Sequence, residues 1–171
     1  PHRRHRDTIG LDAHGPVGDY CEARQRGMQE QLPVKQGRTE VRPRYMYHFL
    51  VRLQTEGETS CLIRRREGRD IWHGLYEYPL IESGETPLSV EELCETKEFT
   101  QLLGGLRSPS FHPTPLATQT HRLSHRLIQA SLYLIDCAGL AGVTDYLVIP
   151  EGEQTSYAFP VLIQRLREKI R

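Results

Sequence analysis

The segment Thr120-His121-Arg122-Leu123-Ser124-His125-Arg126-Leu127-Ile128-Gln129-Ala130 gathers a serine hydroxyl, two imidazoles and two guanidiniums into one short span. Serine hydroxyls and neutral imidazoles each donate and accept hydrogen bonds, whereas arginine only donates. The segment lies between two runs that read as strands, so Ser124 and His125 are expected at or beside a turn, facing a ligand instead of a core. A surface hairpin with polar decoration has the same pattern, and periodicity does not separate the two.

A second group of cations, Arg64, Arg65, Arg66 and Arg69, crowds the end of another predicted strand. It reads either as a solvated run or as a phosphate contact. Next come Trp72, Tyr76 and Tyr78 around Gly74, a glycine expected to let backbone segments approach closely. Aromatics at this density are expected in a core, with a base-stacking platform as the alternative.

These groups need a scaffold. Tyr45, Tyr47, Phe49, Val51 and Leu53 alternate with Met46, His48, Leu50 and Arg52, the period of a strand buried mainly on one side. Gly57 lies in a polar turn, and Thr59–Arg65 should return as the second strand of a hairpin. Over 88–105, Ser89-Val90-Glu91-Glu92 is a capping box, with Leu88 and Leu93 placed as its hydrophobic staple. Gly104-Gly105 ends that helical stretch, and Thr96 can cap a second short helix within it. Residues 107–115, with three prolines, read as a loop. Strands are expected at about Leu116–Leu123, Leu127–Asp136 and Tyr146–Ile149, followed by an acidic loop with Glu151 and Glu153. A last helix starts at Pro160 and carries an apolar stripe of Phe159, Leu162, Ile163, Leu166 and Ile170. Strands followed by segregated helices imply an α+β fold, a mixed sheet with helices packed on it.

At 171 residues and 37% hydrophobic content, the chain is long enough for one filled core and an appendage. A net charge of zero leaves attraction to nucleic acid or membranes to local patches. Cys21, Cys61, Cys94 and Cys137 are scattered and form no zinc-knuckle or disulfide pattern, which fits a reducing compartment. No apolar run approaches a membrane span, so a soluble, cytoplasmic monomer is expected. Residues 1–30 are polar and weakly periodic and read as an irregular remnant of something longer. Residues 31–44, with Lys35, Arg38 and Arg42, read as a basic linker able to follow a phosphate backbone, or as a solvated tether. The folded domain is then 45–171.

Several stretches in this order resemble the C-terminal domain of the MutY family, the adenine DNA glycosylases that act on adenine opposite 8-oxoguanine. They are Leu32-Pro33-Val34-Lys35, Arg44-Tyr45, Ile71-Trp72-His73-Gly74-Leu75-Tyr76-Glu77-Tyr78-Pro79-Leu80, Leu123-Ser124-His125 and Tyr157-Ala158-Phe159-Pro160-Val161-Leu162. The resemblance implies a Nudix-like (MutT-like) domain that reads 8-oxoguanine in double-stranded DNA, with adenine excision left to a separate N-terminal domain missing from this chain. Many members have a Phe-Ser-His turn against the damaged base; here Leu123 replaces the aromatic and the polar pair remains. On that reading Leu123, Ser124 and His125 contact the lesion, Lys35, Arg38, Arg42, Arg64, Arg65 and Arg69 grip the backbone, and the chain itself is not catalytic. The family's [4Fe-4S] motif would end at Cys21, but its spacing places Gly15, Asp12 and His5 at the other ligand positions. One thiolate cannot hold a cluster that takes four, so no cluster is expected and Cys21 is a lone remnant.

Two rival readings remain. A Nudix hydrolase holds Mg²⁺ on helical carboxylates, which calls for Arg-Glu followed by Glu-Glu one turn later. This chain has Glu82, Glu85, Glu91, Glu92 and Glu95 in the region but no Arg-Glu one turn ahead of the Glu91-Glu92 pair, and Glu91 and Glu92 are better explained by the helix N-terminus. The other rival is a protein-docking module with no nucleic-acid role.

Overall fold

The centre of the fold is β1 (Arg42–Thr55), which changes partners along its length. The computed structural model describes residues 40–171, so Cys21, Lys35 and Arg38 lie outside the described residues. The first half of β1 pairs antiparallel with β4 (Leu80–Ser83) through Tyr45–His48, and the second half pairs antiparallel with β2 (Glu58–Arg65) through Arg52–Thr55. Its other edge runs parallel to β7 (Arg126–Cys137) from Arg42 to Leu53. In turn, β7 pairs antiparallel with β6 (Ser110–Arg122) at the sheet edge, while β2 also pairs with β3 (Tyr76–Glu77) and β9 (Leu147–Pro150). A two-stranded ribbon of β5 (Leu106–Arg107) and β8 (Gly139–Leu140) stands apart from this mixed sheet.

Helices cover both faces. On one, Met46, Leu50, Ile63, Ile128 and Leu132 pack with Leu162, Ile163 and Leu166 of α3 (Val161–Glu168). On the other, Phe49, Val51, Leu62, Tyr133 and Ile135 pack with Leu93 of α1 (Val90–Glu95) and Phe99 and Leu102 of α2 (Lys97–Gly104). This corrects the expectation for β1: every residue from Met46 to Val51 is buried, so the strand is covered on both sides. A nearly unbroken apolar run belongs to a strand with a parallel neighbour and two covered faces, and the alternation signal is lost there.

Local signals place most boundaries. Glu92 N–H donates to the Ser89 hydroxyl at 3.1 Å and Ser89 N–H donates to the Glu92 carboxylate at 2.8 Å, completing the capping box of α1. Thr96 caps α2 through Phe99 N–H, so the 88–105 stretch is two helices. Two expectations fail. The proline-rich 107–115 is largely strand, because β6 is an edge strand with a register irregularity between His112 and Ala117, where Pro113 and Pro115 cost no ladder bonds. The acidic segment after β9 is a 3-10 helix (Glu151–Ser156), fastened by Glu151 accepting from Arg52 Nη2 at 2.8 Å.

Candidate functional site

The long β6–β7 hairpin carries Ser124 and His125 at its tip. Leu123 N–H donates to the Arg126 carbonyl at 2.8 Å, and Arg42 N–H donates to the His125 carbonyl at 3.4 Å. These bonds close the turn and tie it to the start of β1. Both polar residues are exposed, whereas Leu123 is half-buried against the α3-side core. Burial alternates along β6 and β7 as they approach this turn. Around the tip stand Arg42 and Arg126, which face each other across the parallel β1–β7 register. A hollow of about 450 Å³ beside them is also lined by Arg44, Glu82 and Glu85.

The expected backbone-gripping residues therefore divide. Arg42 stands at the tip, beginning β1 instead of lying in a linker. Arg64, Arg65 and Arg69 are at or just past the end of β2, where the sheet forks because β1 has turned from β2 to β4. A cleft of about 780 Å³ opens at the fork, lined in part by Arg64, Arg65, Tyr76, Glu77, Glu82 and Tyr146. Arg64 Nε donates to Glu77 at 2.9 Å and its guanidinium lies 5.5 Å from the centre of the Tyr146 ring. Arg65 Nε donates to the Gly74 carbonyl at 3.2 Å, and Arg69 is exposed.

The organiser of the fork is Arg66, which the sequence singled out only as one of a run. Its Nε donates to Asp70 at 2.7 Å, its Nη2 to Glu82 at 3.0 Å, and its Nη1 bonds Glu77, a carboxylate with only 3% exposure. The guanidinium also lies 5.7 Å from the Trp72 ring centre, and Trp72 is buried, as expected of a core aromatic. Burial alone would lower the Arg66 pKa, but its hydrogen bonds to Asp70 and Glu82 and the Glu77 charge raise it. Burial likewise opposes ionisation of Glu82, yet Arg44, donating at 3.1 Å, and Arg66 together hold its pKa below the usual carboxylate range. The loop from Arg66 to Gly74 closes by Gly74 N–H donating to the Arg66 carbonyl at 2.8 Å. Gly74 has φ +82°, so the need for glycine there is a left-handed backbone and not close approach.

Behind this cluster, His48 is 1% exposed, and neither ring nitrogen has a hydrogen-bond partner. Burial, assisted by the Arg66 charge, lowers its pKa to about 4, so it is neutral. It adjoins a void of about 10 Å³ lined also by Arg66, Trp72 and Glu77.

The profile described as NUDIX domain matches residues 48–169. The chain belongs to the Nudix family. Among solved structures it is similar to the Nudix hydrolase RenU from M. smegmatis, at 16% identity and a TM-score of 0.52, over 77% of this chain and 86% of that one. It is also similar to the ORF135 protein of E. coli, at 13% identity and a TM-score of 0.51, over 75% and 89% of the two chains. A match to the C-terminal domain of mouse MUTYH, solved with human PCNA, has 15% identity and a TM-score of 0.49, over 74% and 86%. At these identities the Nudix likeness establishes the mixed-sheet fold, and function has to come from the site.

Among the described residues, the side chains present do not fit a Nudix hydrolase's divalent metal. No group of three or more His, Cys, Asp or Glu side chains suited to a metal occurs among the described residues. Asp70, Glu77 and Glu82, the carboxylates that do converge, are bound by Arg66. On the helix that would carry metal ligands, Glu92 is spent on the cap and Glu91 and Glu95 are exposed. No helix in the described residues is long and apolar enough to cross a membrane.

Proposed function

We propose that this Nudix domain is the lesion-recognition part of an adenine DNA glycosylase, reading 8-oxoguanine in duplex DNA while a separate domain excises the opposing adenine. The observation that carries this reading is the exposed Ser124–His125 pair at a hairpin tip flanked by Arg42 and Arg126. Oxidation at C8 turns guanine N7 from an acceptor into an N–H donor and adds a carbonyl oxygen. Discrimination then calls for an acceptor where unmodified guanine would present its own lone pair. The Ser124 hydroxyl can supply one, as can the His125 ring in its neutral form. Leu123, which the resemblance also sets against the lesion, is half-buried and packs against the core behind the tip. A base-edge contact of this kind is worth about 1 to 3 kcal/mol of discrimination.

The test is duplex binding by the full chain. The double variant Ser124→Ala, His125→Ala should lower the preference for 8-oxoguanine over guanine by roughly tenfold, the equivalent of one such contact. Full preference in the double variant would remove the tip from lesion reading. The hydrolase reading draws on the fork cleft and its arginines, and steady turnover of 8-oxo-dGTP with Mg²⁺ would favour it.

A further inference from the structure

We infer that Arg42 and Arg126 form a phosphate clamp beside the hairpin tip. The two residues are direct register partners in the parallel β1–β7 pair, so their side chains leave the same face of the sheet. Like charges placed directly across neighbouring strands repel and destabilise the pairing. Arg44, next on that face of β1, is answered by Glu82, which also binds Arg66. Arg42 and Arg126 are both exposed and both line the hollow of about 450 Å³ next to the tip. The remaining acid there is Glu85, one carboxylate against two guanidiniums. An anion between the two arginines relieves their repulsion, and guanidiniums bind phosphate through paired N–H donors.

The clamp's chemistry is phosphate. The identification of that phosphate as the backbone flanking a base held by Ser124 and His125 rests on the lesion-reading proposal. Arg126 adjoins His125 in sequence, and Arg42 is hydrogen-bonded to the His125 carbonyl, so base edge and backbone would be met together. Phosphate contacts position a duplex without reading it, which sets the clamp apart from the tip.

The experiment follows binding of the full chain to a duplex with 8-oxoguanine opposite adenine and to its undamaged counterpart, across a series of KCl concentrations. Arg42→Gln and Arg126→Gln should each weaken both duplexes by the same factor, roughly tenfold at low salt. Each should also reduce the salt slope by about one. Arg42→Lys and Arg126→Lys should keep the slope, and Glu85→Gln should tighten binding to both duplexes. Unchanged affinity and slope in both Gln variants would overturn the clamp. If the parent chain binds both duplexes equally, with the slopes still falling in the Gln variants, lesion reading fails and the clamp stands. If it binds neither duplex, titration with inorganic phosphate, followed by the Arg42 and Arg126 Nε–Hε resonances, decides. Saturable shifts at both, abolished by either Gln substitution, would retain the clamp for a free phosphate, and their absence would end it.

Discussion

The hairpin tip and the sheet fork use the same residue types to opposite ends. At the fork, Arg64, Arg66, Asp70, Glu77 and Glu82 are bound to one another and part-buried. At the tip, Ser124, His125, Arg42 and Arg126 point into solvent, and the turn is closed by main-chain bonds alone. Polar groups that satisfy each other hold a structure, and those whose partners are not supplied internally are available to a ligand. The residues at the fork are therefore expected to matter chiefly for stability, and those at the tip for binding.

The largest effect should come from Arg66→Met. It would strand the buried Glu77 with only Arg64, whose side chain is 39% exposed, and would leave Glu82 to Arg44 and Asp70 to the Trp72 amide. Removing one partner of a buried ion pair costs about 3 to 5 kcal/mol, because the other charge stays buried. Urea denaturation should show this loss, and Arg66→Lys should recover only part of it, since an ammonium lacks the planar fork that reaches three carboxylates. A cost below about 1 kcal/mol would mean that the fork tolerates unpaired charge, and the contrast with the tip would collapse.

The next effect is acid sensitivity, again confined to the fork side. His48 ionises near 4 in the folded protein and near its ordinary value of 6.5 once unfolded. Between those values the unfolded chain binds the proton and the folded one does not, so stability falls as pH drops from 6.5 towards 4. The loss is on the order of 3 kcal/mol when complete. It should be absent in His48→Leu, which also removes two unsatisfied buried nitrogens and should cost little at pH 7. Unfolding free energies at a series of pH values between 4.5 and 7.5 check this, and an unchanged slope in the variant would place the acid sensitivity elsewhere.

How much of this contrast was legible in the sequence depends on whether each feature is local. The capping box at Ser89–Glu92, the tip at Ser124–His125 and the α3 stripe of Leu162, Ile163 and Leu166 are set by neighbouring residues, and the structure places them as expected. The parallel pairing of β1 with β7 joins segments nearly half the chain apart, and nothing near Arg42 announces Arg126 across from it. The arginine run looks like a single cationic patch in the sequence, which cannot show that Arg66 turns inward to carboxylates on three later segments. His48 was hidden in the same way, inside an alternation that does not register its missing partners.

The smallest expected effect tests the other half of the contrast. Ser124→Ala and His125→Ala, alone or together, should change the unfolding free energy by no more than about 0.5 kcal/mol, the usual range for exposed positions without structural partners. The turn depends on the Leu123 and Arg42 amides and on carbonyls that alanine also has, and on Leu123 packing against the core. Leu123→Ala should by contrast be measurably destabilising, since it removes partly buried apolar surface under the tip. Denaturation midpoints for these variants rank the three positions. If the polar pair proved as costly to remove as Leu123, the hydroxyl and the imidazole would be part of the turn's own structure, and their exposure would carry no implication of a ligand.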